Sequence, residues 1–298
     1  VFVNKDLPIP PSELEFILLT HAHVDHSGML PLLYKNGCKC SIYATRETCM
    51  LSNIMLRDCA HIQESEAEYE NRKAERAGRT TTEPIFTIAD AEIAISHLRP
   101  CTYGNNVTVA EGLIVRFVDA GHLLGSASIE LYLTEDGVSK KVVFSGDIGN
   151  VNQEIIRNPQ YIEEADYVVT ESTYGDRFHS SDGTDSVQYL ANCIQKTFDR
   201  GGNLVIPSFA VGRTQELLYM IRLIKLGNMV KGHDNFPVYV DSPMATAATN
   251  IFIQADKNCF DDDVKALLDK GINPLVFPNL NLTETVDESK LINANKEP

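Results

Sequence analysis

Three histidines and an aspartate lie within six residues near the start of the chain, in the segment 21–26. The apolar residues before this segment predict a buried strand, and a glycine-containing turn follows it, so the polar side chains lie on a loop at the carboxyl end of a strand. Imidazole and carboxylate groups are good ligands for a divalent metal such as zinc. Because side chains alternate along an extended segment, His21 and His23 can hold one ion while Asp25 and His26 hold a second. The alternative is a polar loop whose histidines occur there by chance.

Three later strand ends each present one further polar side chain that could do chemistry. His122 is flanked by glycines after an apolar strand, Asp147 follows a strand within a small-residue turn, and Glu171 ends a third apolar run. A carboxylate has two oxygens and can bridge two cations, so Asp147 is the candidate bridging ligand. The alternatives are a structural histidine, an aspartate that serves its turn, and a capping or surface glutamate.

The pattern His-x-His-x-Asp-His resembles the signature of the metallo-β-lactamase superfamily. That family carries a later histidine and a later aspartate as ligands, which His122 and Asp147 match. The resemblance implies two zinc ions in a complete site. The implied metal ligands are His21, His23 and His122 for one ion, Asp25 and His26 for the other, and Asp147 for both.

Three segments after the metal motifs resemble the β-CASP subgroup, the nucleic-acid-processing branch of this superfamily. The first contains Glu171, which the resemblance makes a residue that supports the ligands or relays a proton. The second, residues 206–216, includes Ser208 and Arg213, which the resemblance implies for substrate binding; a helix start and an arginine suit a phosphate. The third is residues 240–245. For the last two segments, ordinary packing of strands against a capped helix is the alternative.

The resemblance covers nearly the whole chain and is closest to bacterial and archaeal ribonucleases related to the cleavage-and-polyadenylation endonuclease. Such proteins have further strands before the first motif and further histidine motifs after the last. His179 and His233 follow Glu171 in this sequence, and neither has a matching context. The resemblance therefore leads us to expect a chain truncated at both ends, whose activity alone is impaired.

The composition limits the possible partners and compartments. A net charge of -15 over 298 residues argues against binding nucleic acid through a broad basic surface, although bound cations would make a local site positive. No apolar run approaches the length of about 20 residues that a membrane span needs. Seven scattered cysteines and the lack of a signal peptide predict a reduced, cytoplasmic protein.

The predicted fold is an incomplete αββα metallo-β-lactamase sandwich, without its first strands, over residues 1–175, followed by an incomplete β-CASP α/β domain with a parallel sheet over residues 176–298. Within these domains the pattern predicts a long exposed helix from Arg46 to Arg76, kinked or broken before Tyr69. Residues 91–95, 203–206 and 275–277 are predicted as strands.

The resemblance implies a zinc-dependent ribonuclease that cleaves phosphodiester bonds of single-stranded RNA as an endonuclease, a 5′-exonuclease or both. Asp25 and Glu171 are its expected catalytic residues, and a homodimer is one assembly that it allows. Two other functions stay open. One is a metallo-hydrolase of a small thioester or ester, which the metal motif alone permits. The other is an inactive RNA-binding scaffold of a processing complex.

Overall fold

A computed structural model of the chain describes residues 9–177 and 185–294. The chain folds into two compact units. Unit 1 consists of Val1–Val151 and Asn158–Glu171, and unit 2 consists of Asn152–Arg157 and Ser172–Pro298. Both units combine helices and sheets, which confirms the predicted α/β class. Across the described ranges, no helix is both long and apolar enough to cross a bilayer.

The first sheet of unit 1 has three parallel strands with helices packed against it. Its strands, in spatial order, are β1 (Phe16–Leu18), β2 (Ser41–Thr45) and β3 (Leu98–Cys101). The helices of unit 1 are α1 (Val24–Ser27), α2 (Leu30–Lys35), α3 (Arg46–Arg76) and α4 (Ile88–Ser96). Apolar side chains of β1 and β2 pack with those of α2, α3 and α4 into one buried cluster. This cluster fixes the end of β1, from which the first histidines follow.

The second sheet of unit 1 has five strands and supplies the other site loops. Its strands, in spatial order, are β4 (Asn106–Ala110), β5 (Leu113–Asp119), β6 (Ala127–Glu135), β7 (Val138–Phe144) and β8 (Tyr167–Val169). The first four strands pair antiparallel, and β8 adds in parallel to β7. The loops after β5, β7 and β8 carry His122, Asp147 and Glu171.

Helix α3 is continuous over 31 residues, so of the predicted alternatives, a kink or a break before Tyr69, the break is wrong. Thr45 caps its start by accepting a hydrogen bond from the Thr48 amide at 3.2 Å. The polar second half contains neither proline nor glycine, and its Glu, Arg, Lys and Ala residues have high helix propensity. The second half of the helix can therefore remain helical although it makes few apolar contacts. Beyond the helix, Gly78 adopts the left-handed conformation (φ +64) that ends helices.

Residues 91–95, predicted as a strand, form part of α4 instead. Thr87 and Asp90 make a reciprocal capping box: the Asp90 amide donates to Thr87 Oγ1 at 3.3 Å, and the Thr87 amide donates to Asp90 Oδ2 at 2.8 Å. A short apolar run does not distinguish a strand from a buried helix, and the capping residues decide the structure here.

Unit 2 is built mainly from helices around two parallel strands. The strands are β9 (Val238–Val240) and β10 (Leu280–Leu282). The helices are α5 (Ser186–Phe198), α6 (Arg213–Leu226), α7 (Pro243–Gln254), α8 (Asp262–Asp269) and α9 (Val286–Ala294). The two strands are parallel, as the sequence predicts, but among the described residues the alternation of helices and strands is less regular than predicted, because α6 follows α5 and α8 follows α7 without a strand between them.

Two predicted strands of unit 2 are absent from the described residues. Residues 203–206 form no hydrogen-bonded pairing with a strand of the described residues, and Val205 is 84% exposed. Residues 275–277 start within a turn, in which the Leu275 amide donates to Asn273 Oδ1 at 2.9 Å. Leu275 and Phe277 are buried although they form no strand. The strand that pairs with β9 begins three residues after Phe277, at Leu280.

Candidate metal centre

The first histidines are held by the turn that connects β1 to α1. His23 precedes the first residue of α1, and its carbonyl accepts the amides of His26 at 3.0 Å and Ser27 at 2.8 Å. The Ser27 hydroxyl donates to the carbonyl of Ala22 at 2.9 Å. Because α1 begins at Val24, Asp25 and His26 lie in the helix, whereas His21 and His23 precede it. The motif therefore presents its ligands in two groups.

The loop after β5 is folded so that it presents His122. Asp119, the last residue of β5, accepts the Gly121 amide on Oδ1 at 2.9 Å. The buried Ser126 hydroxyl oxygen accepts the amides of His122 at 3.0 Å and Leu123 at 3.1 Å. These bonds satisfy the backbone of a tight loop and fix the position of the His122 Cα.

The loop after β7 approaches the other site loops closely, and two glycines make this approach possible. Gly146 has φ +58, and a Cβ at this position would lie 2.8 Å from Thr20 Cβ. Gly149 donates its amide to the carbonyl of Ala120 at 2.9 Å, and a Cβ there would overlap the carbonyl of Gly121. Asp147 lies between these two glycines, so its backbone is held close to the segments that carry His21 and His122.

These loops bring six predicted ligands together in two groups. Within each group, one potential ligand atom of every residue lies within 4.8 Å of the others. The first group is His21, His23, His122 and Asp147, and the second is Asp25, His26 and Asp147.

Asp147 belongs to both groups and uses a different oxygen toward each. Its Oδ2 lies 3.6 Å from His21 Nε2 and 3.5 Å from His122 Nε2. Its Oδ1 lies 3.2 Å from His26 Nε2. A single carboxylate therefore spans the two groups, an arrangement that can bridge two cations.

The three histidines of the first group are kept neutral by their surroundings. Burial, reinforced by the neighbouring histidines, lowers the pKa of His21 to about 2. Burial also lowers the pKa of His23 and of His122, in the second case against the opposing effect of Asp147 and Glu171. His122 Nε2 and His23 Nδ1 lie only 3.2 Å apart. Neutral imidazoles are the form that binds a metal ion.

An orphaned nitrogen tests whether a cation fits this cluster. His21 Nε2 is completely buried and has no hydrogen-bond partner among the residues that the structure describes. A buried polar atom without a partner is costly, and a metal ion is the partner that imidazole nitrogen accepts. The cluster of histidine nitrogens and carboxylate oxygens is therefore compatible with a metal site.

Glu171 lies beside the first group without belonging to it. Its Oε1 accepts the Ile148 amide at 2.7 Å, and its own amide donates to Ser145 Oγ at 3.0 Å. Both contacts are with residues that flank Gly146 and Asp147. Glu171 thus connects the end of β8 to the loop that carries the shared carboxylate.

Ser208 and Arg213, predicted to bind substrate, belong to unit 2 and bond within it. Ser208 Oγ lies 2.8 Å from Thr214 Oγ1, and Arg213 Nη1 donates to Glu216 Oε2 at 2.6 Å. The Arg213 side chain is 61% exposed, so its remaining donors face solvent. Of the two histidines that follow Glu171 in the sequence, His233 contacts Asp199 at 3.3 Å in unit 2, and His179 lies outside the described residues.

The sequence interpretation missed three residues that shape the site: Thr20, Ser126 and Ser145. Each uses a hydroxyl to hold a ligand residue or the backbone next to one. Their signal in the sequence is their type and position, because all are small hydroxyl residues within four positions of a predicted ligand.

Comparison with known proteins places the chain in a family. The model of the metallo-beta-lactamase superfamily domain matches residues 5–171, and that of the Beta-Casp domain matches residues 214–298. Ribonuclease TTHA0252 of Thermus thermophilus is 34% identical over 290 residues, which cover 97% of this chain and 60% of that protein.

Two archaeal proteins are similar over a comparable range. The RNase J-like protein of Methanocaldococcus jannaschii is 30% identical over 96% of this chain and 59% of its own length. Transcription termination factor FttA of a Lokiarchaeum species is 27% identical over 93% of this chain and 41% of its own length. The chain thus spans between 41% and 60% of the length of these three relatives. Because the superfamily domain matches more than half of its residues, the chain belongs to the metallo-β-lactamase superfamily, in the β-CASP subgroup.

Proposed function

We propose that this protein is a metal-dependent ribonuclease that hydrolyses phosphodiester bonds in single-stranded RNA, with two zinc ions in the complete site. The observation that carries the proposal is the shared carboxylate of Asp147, whose two oxygens face two separate groups of ligand atoms. Two relatives that match nearly the whole chain are named as a ribonuclease and as an RNase J-like protein, which supports RNA as the substrate.

The choice of zinc follows from the donor types. The first group offers three imidazoles and one carboxylate oxygen, which suits a borderline divalent ion better than Mg²⁺ or Ca²⁺, the ions that prefer oxygen ligands throughout. The second group offers one imidazole and carboxylate oxygens. Zinc ions held there would supply Lewis acidity that lowers the pKa of water and stabilises negative charge on the phosphoryl oxygens.

The residues of the chain then have separate tasks. His21, His23 and His122 remain neutral in their buried or partly buried positions and offer nitrogen lone pairs. Asp25 is 77% exposed and lies 3.6 Å from His26 Nε2, so its carboxylate is accessible to the attacking water and can accept its proton. Hydrolysis adds the elements of water across one P–O bond.

Glu171 holds the loop that carries Asp147. Its carboxylate accepts the amide of the residue that follows Asp147, at 2.7 Å, and this bond orients the shared ligand. The negative charge of Glu171 also acts on His122, where it opposes the effect of burial on the pKa. We assign Glu171 a supporting role through Asp147 and His122, with proton relay as a further task once substrate is bound.

Ser208 and Arg213 would bind the RNA backbone. Arg213 is the first residue of α6, and its exposed guanidinium suits a phosphate oxygen and carries no base specificity. To contact RNA, it must share or release its bond to Glu216. The substrate contact is therefore a modest contribution to affinity.

Three further parts of the proposal concern organisation and compartment. We place the domain limit between residues 175 and 176, near the limit of the two units at Glu171 and Ser172.

All seven cysteines are free thiols, which supports a reducing compartment such as the cytoplasm. A homodimer is proposed from family resemblance alone, and sedimentation velocity would test it.

An assay with labelled substrates tests the function. The purified protein is incubated with single-stranded RNA labelled at either end, with DNA of the same sequence, and with a panel of small thioesters and esters. We expect RNA cleavage, slow for this chain alone, that a chelator abolishes and added zinc restores. Hydrolysis of a small ester without RNA cleavage would favour the alternative hydrolase. RNA binding without any turnover would favour a non-catalytic scaffold.

A further inference from the structure

Thr20 contacts all three segments that carry the ligands of the first group. Its Oγ1 lies 3.1 Å from Nδ1 of His21, the next residue. Its carbonyl accepts the amide of Ala127 at 2.8 Å, where the His122 loop enters β6. Its Cβ and Cγ2 atoms would lie 2.8 Å and 3.0 Å from a Cβ on Gly146, next to Asp147. One partly exposed residue thus connects separate parts of the candidate metal centre through its side chain and its carbonyl.

The contact with His21 determines which ring nitrogen can bind a cation. His21 Nε2 is the orphaned nitrogen, and it lies 3.6 Å from Asp147 Oδ2. A neutral imidazole that gives the Nε2 lone pair to a metal carries its proton on Nδ1, and that N–H must then donate to an acceptor. The Thr20 hydroxyl oxygen lies at the right distance to accept it.

Burial makes this partner important. His21 is 0% exposed, so water cannot replace a lost hydrogen bond at Nδ1 without entering a closed site. An unsatisfied N–H there would oppose the ring orientation that places Nε2 toward Asp147. Outer partners of this kind commonly alter metal affinity by about 10- to 100-fold.

We propose that Thr20 is a positioning residue of the metal centre, whose hydroxyl fixes the tautomer and orientation of His21 while its methyl group supports the Asp147 loop at Gly146. The inference rests on the metal site of the proposed function. It assigns two separable tasks to one side chain, because the hydroxyl faces His21 and the methyl faces Gly146.

Two substitutions separate these tasks. Thr20→Val keeps the branched shape and removes the hydroxyl, and Thr20→Ser keeps the hydroxyl and removes the methyl group. We expect Thr20→Val to weaken the tighter zinc site by about 10- to 100-fold. Thr20→Ser should stay within a few-fold of the unchanged protein. Zinc affinity is measured by competition with a chelator of known affinity, and Thr134→Val provides the same substitution at an exposed threonine of unit 1.

A measurement on the unchanged protein makes the test independent of folding of the variants. Nitrogen-15 NMR of the zinc-loaded protein reports which imidazole nitrogen of His21 carries the proton. We expect a proton on Nδ1, with Nε2 bound to zinc. A proton on Nε2, or equal zinc affinities of Thr20→Val and the unchanged protein, would overturn the positioning role.

The remaining outcomes are also decisive. A loss of zinc affinity in Thr20→Ser with none in Thr20→Val would mean that packing of the methyl group alone matters, which would overturn the hydroxyl's role. If the unchanged protein retains no zinc, the proposed function fails and this inference fails with it. A failure of the inference alone instead leaves zinc binding and RNA cleavage intact in both variants.

Discussion

The candidate metal centre of unit 1 and the region around Glu216 in unit 2 both gather titratable side chains, but they differ in whether a buried atom is left without a hydrogen-bond partner. Glu216 accepts from Arg213 at 2.6 Å and from Gln153 Nε2 at 2.5 Å. In the metal centre, His21 Nε2 has no hydrogen-bond partner among the described residues, although four ligand atoms lie within 4.8 Å of one another there.

This difference distinguishes a cluster that can still gain a ligand from a network whose groups already bond to one another. A buried polar atom without a partner, such as His21 Nε2, gains a bond only when a ligand arrives, so this cluster is compatible with a cation site. Polar atoms that already pair with one another gain less from a new ligand, because an existing bond has to be shared or broken. We therefore expect large effects from changes in the metal centre and small effects from changes around Glu216.

The largest effect should follow from Asp147→Asn. This change removes the charge of the carboxylate that both ligand groups share. We expect it to lower the zinc content and to reduce RNA cleavage by at least about a hundredfold, with little change in the fold. Metal analysis and initial rates measure these effects. Asp166→Asn, which alters an aspartate paired with Lys140, is the matched control and should stay near the unchanged protein. Full activity of Asp147→Asn at saturating zinc would remove Asp147 from the mechanism.

Glu171 should show an intermediate effect that depends on the substituted group. Glu171→Gln retains an oxygen that can accept the Ile148 amide, whereas Glu171→Ala does not. If positioning of the Asp147 loop dominates, we expect a loss of about tenfold or less in the Gln variant and a larger loss in the Ala variant. Rates at several pH values make the comparison. Equally severe losses in both variants would assign the main role to the negative charge or to proton transfer.

A smaller effect is expected at Arg213, because Glu216 already binds it. Arg213→Gln should weaken RNA binding a few-fold for every sequence tested and reduce the salt dependence of binding by about one phosphate contact. Titrations of labelled RNA at several salt concentrations measure both quantities. Arg200→Gln changes another exposed arginine of unit 2 and serves as control. A loss restricted to one RNA sequence would contradict a phosphate contact.

The smallest effect concerns Glu154, an acid near Glu216. Burial, together with repulsion from Asp261 and Asp263, raises the pKa of Glu154 above its ordinary value of 4.5. The folded protein therefore binds this proton more tightly than the unfolded chain, so the free energy of unfolding falls as the pH rises through the interval between the two pKa values. Glu154→Gln should raise the melting temperature by about 1–3 °C at pH 7, and the gain should disappear near pH 4. An unchanged or lower melting temperature at pH 7 would show that the charge carries no penalty.

The metal centre could be predicted from the sequence because its first four ligands are close together in the chain. His21 through His26 lie on one strand end and one short helix, so local spacing nearly determines their geometry. His122 and Asp147 each follow the end of a predicted strand, but their choice as ligands also depended on the resemblance to the family, which has a later histidine and a later aspartate. Thr20 was missed because its role depends on Gly146 and Ala127, which are distant in sequence.

The errors in the fold have a different origin. Residues 91–95 and 203–206 are short apolar runs, for which periodicity does not separate a strand from a buried helix or an unpaired segment. A segment forms a strand only when another strand pairs with it, and the sequence of a short apolar run does not show whether such a partner is present. The capping box of Thr87 and Asp90 is the local signal that would have corrected the first error.

X-ray absorption at the zinc edge tests the central claim most directly, because it reports which atoms bind the metal. The chain has seven free cysteines, among them Cys38 and Cys40 with sulfur atoms 3.4 Å apart, which are the natural competitors for zinc. Our account predicts nitrogen and oxygen ligands at about 2.0–2.2 Å, with the outer scattering of imidazole rings, and the loss of this signal in His21→Ala. Sulfur ligands at about 2.3 Å, or an unchanged spectrum in His21→Ala, would contradict a metal centre built from these histidines and Asp147.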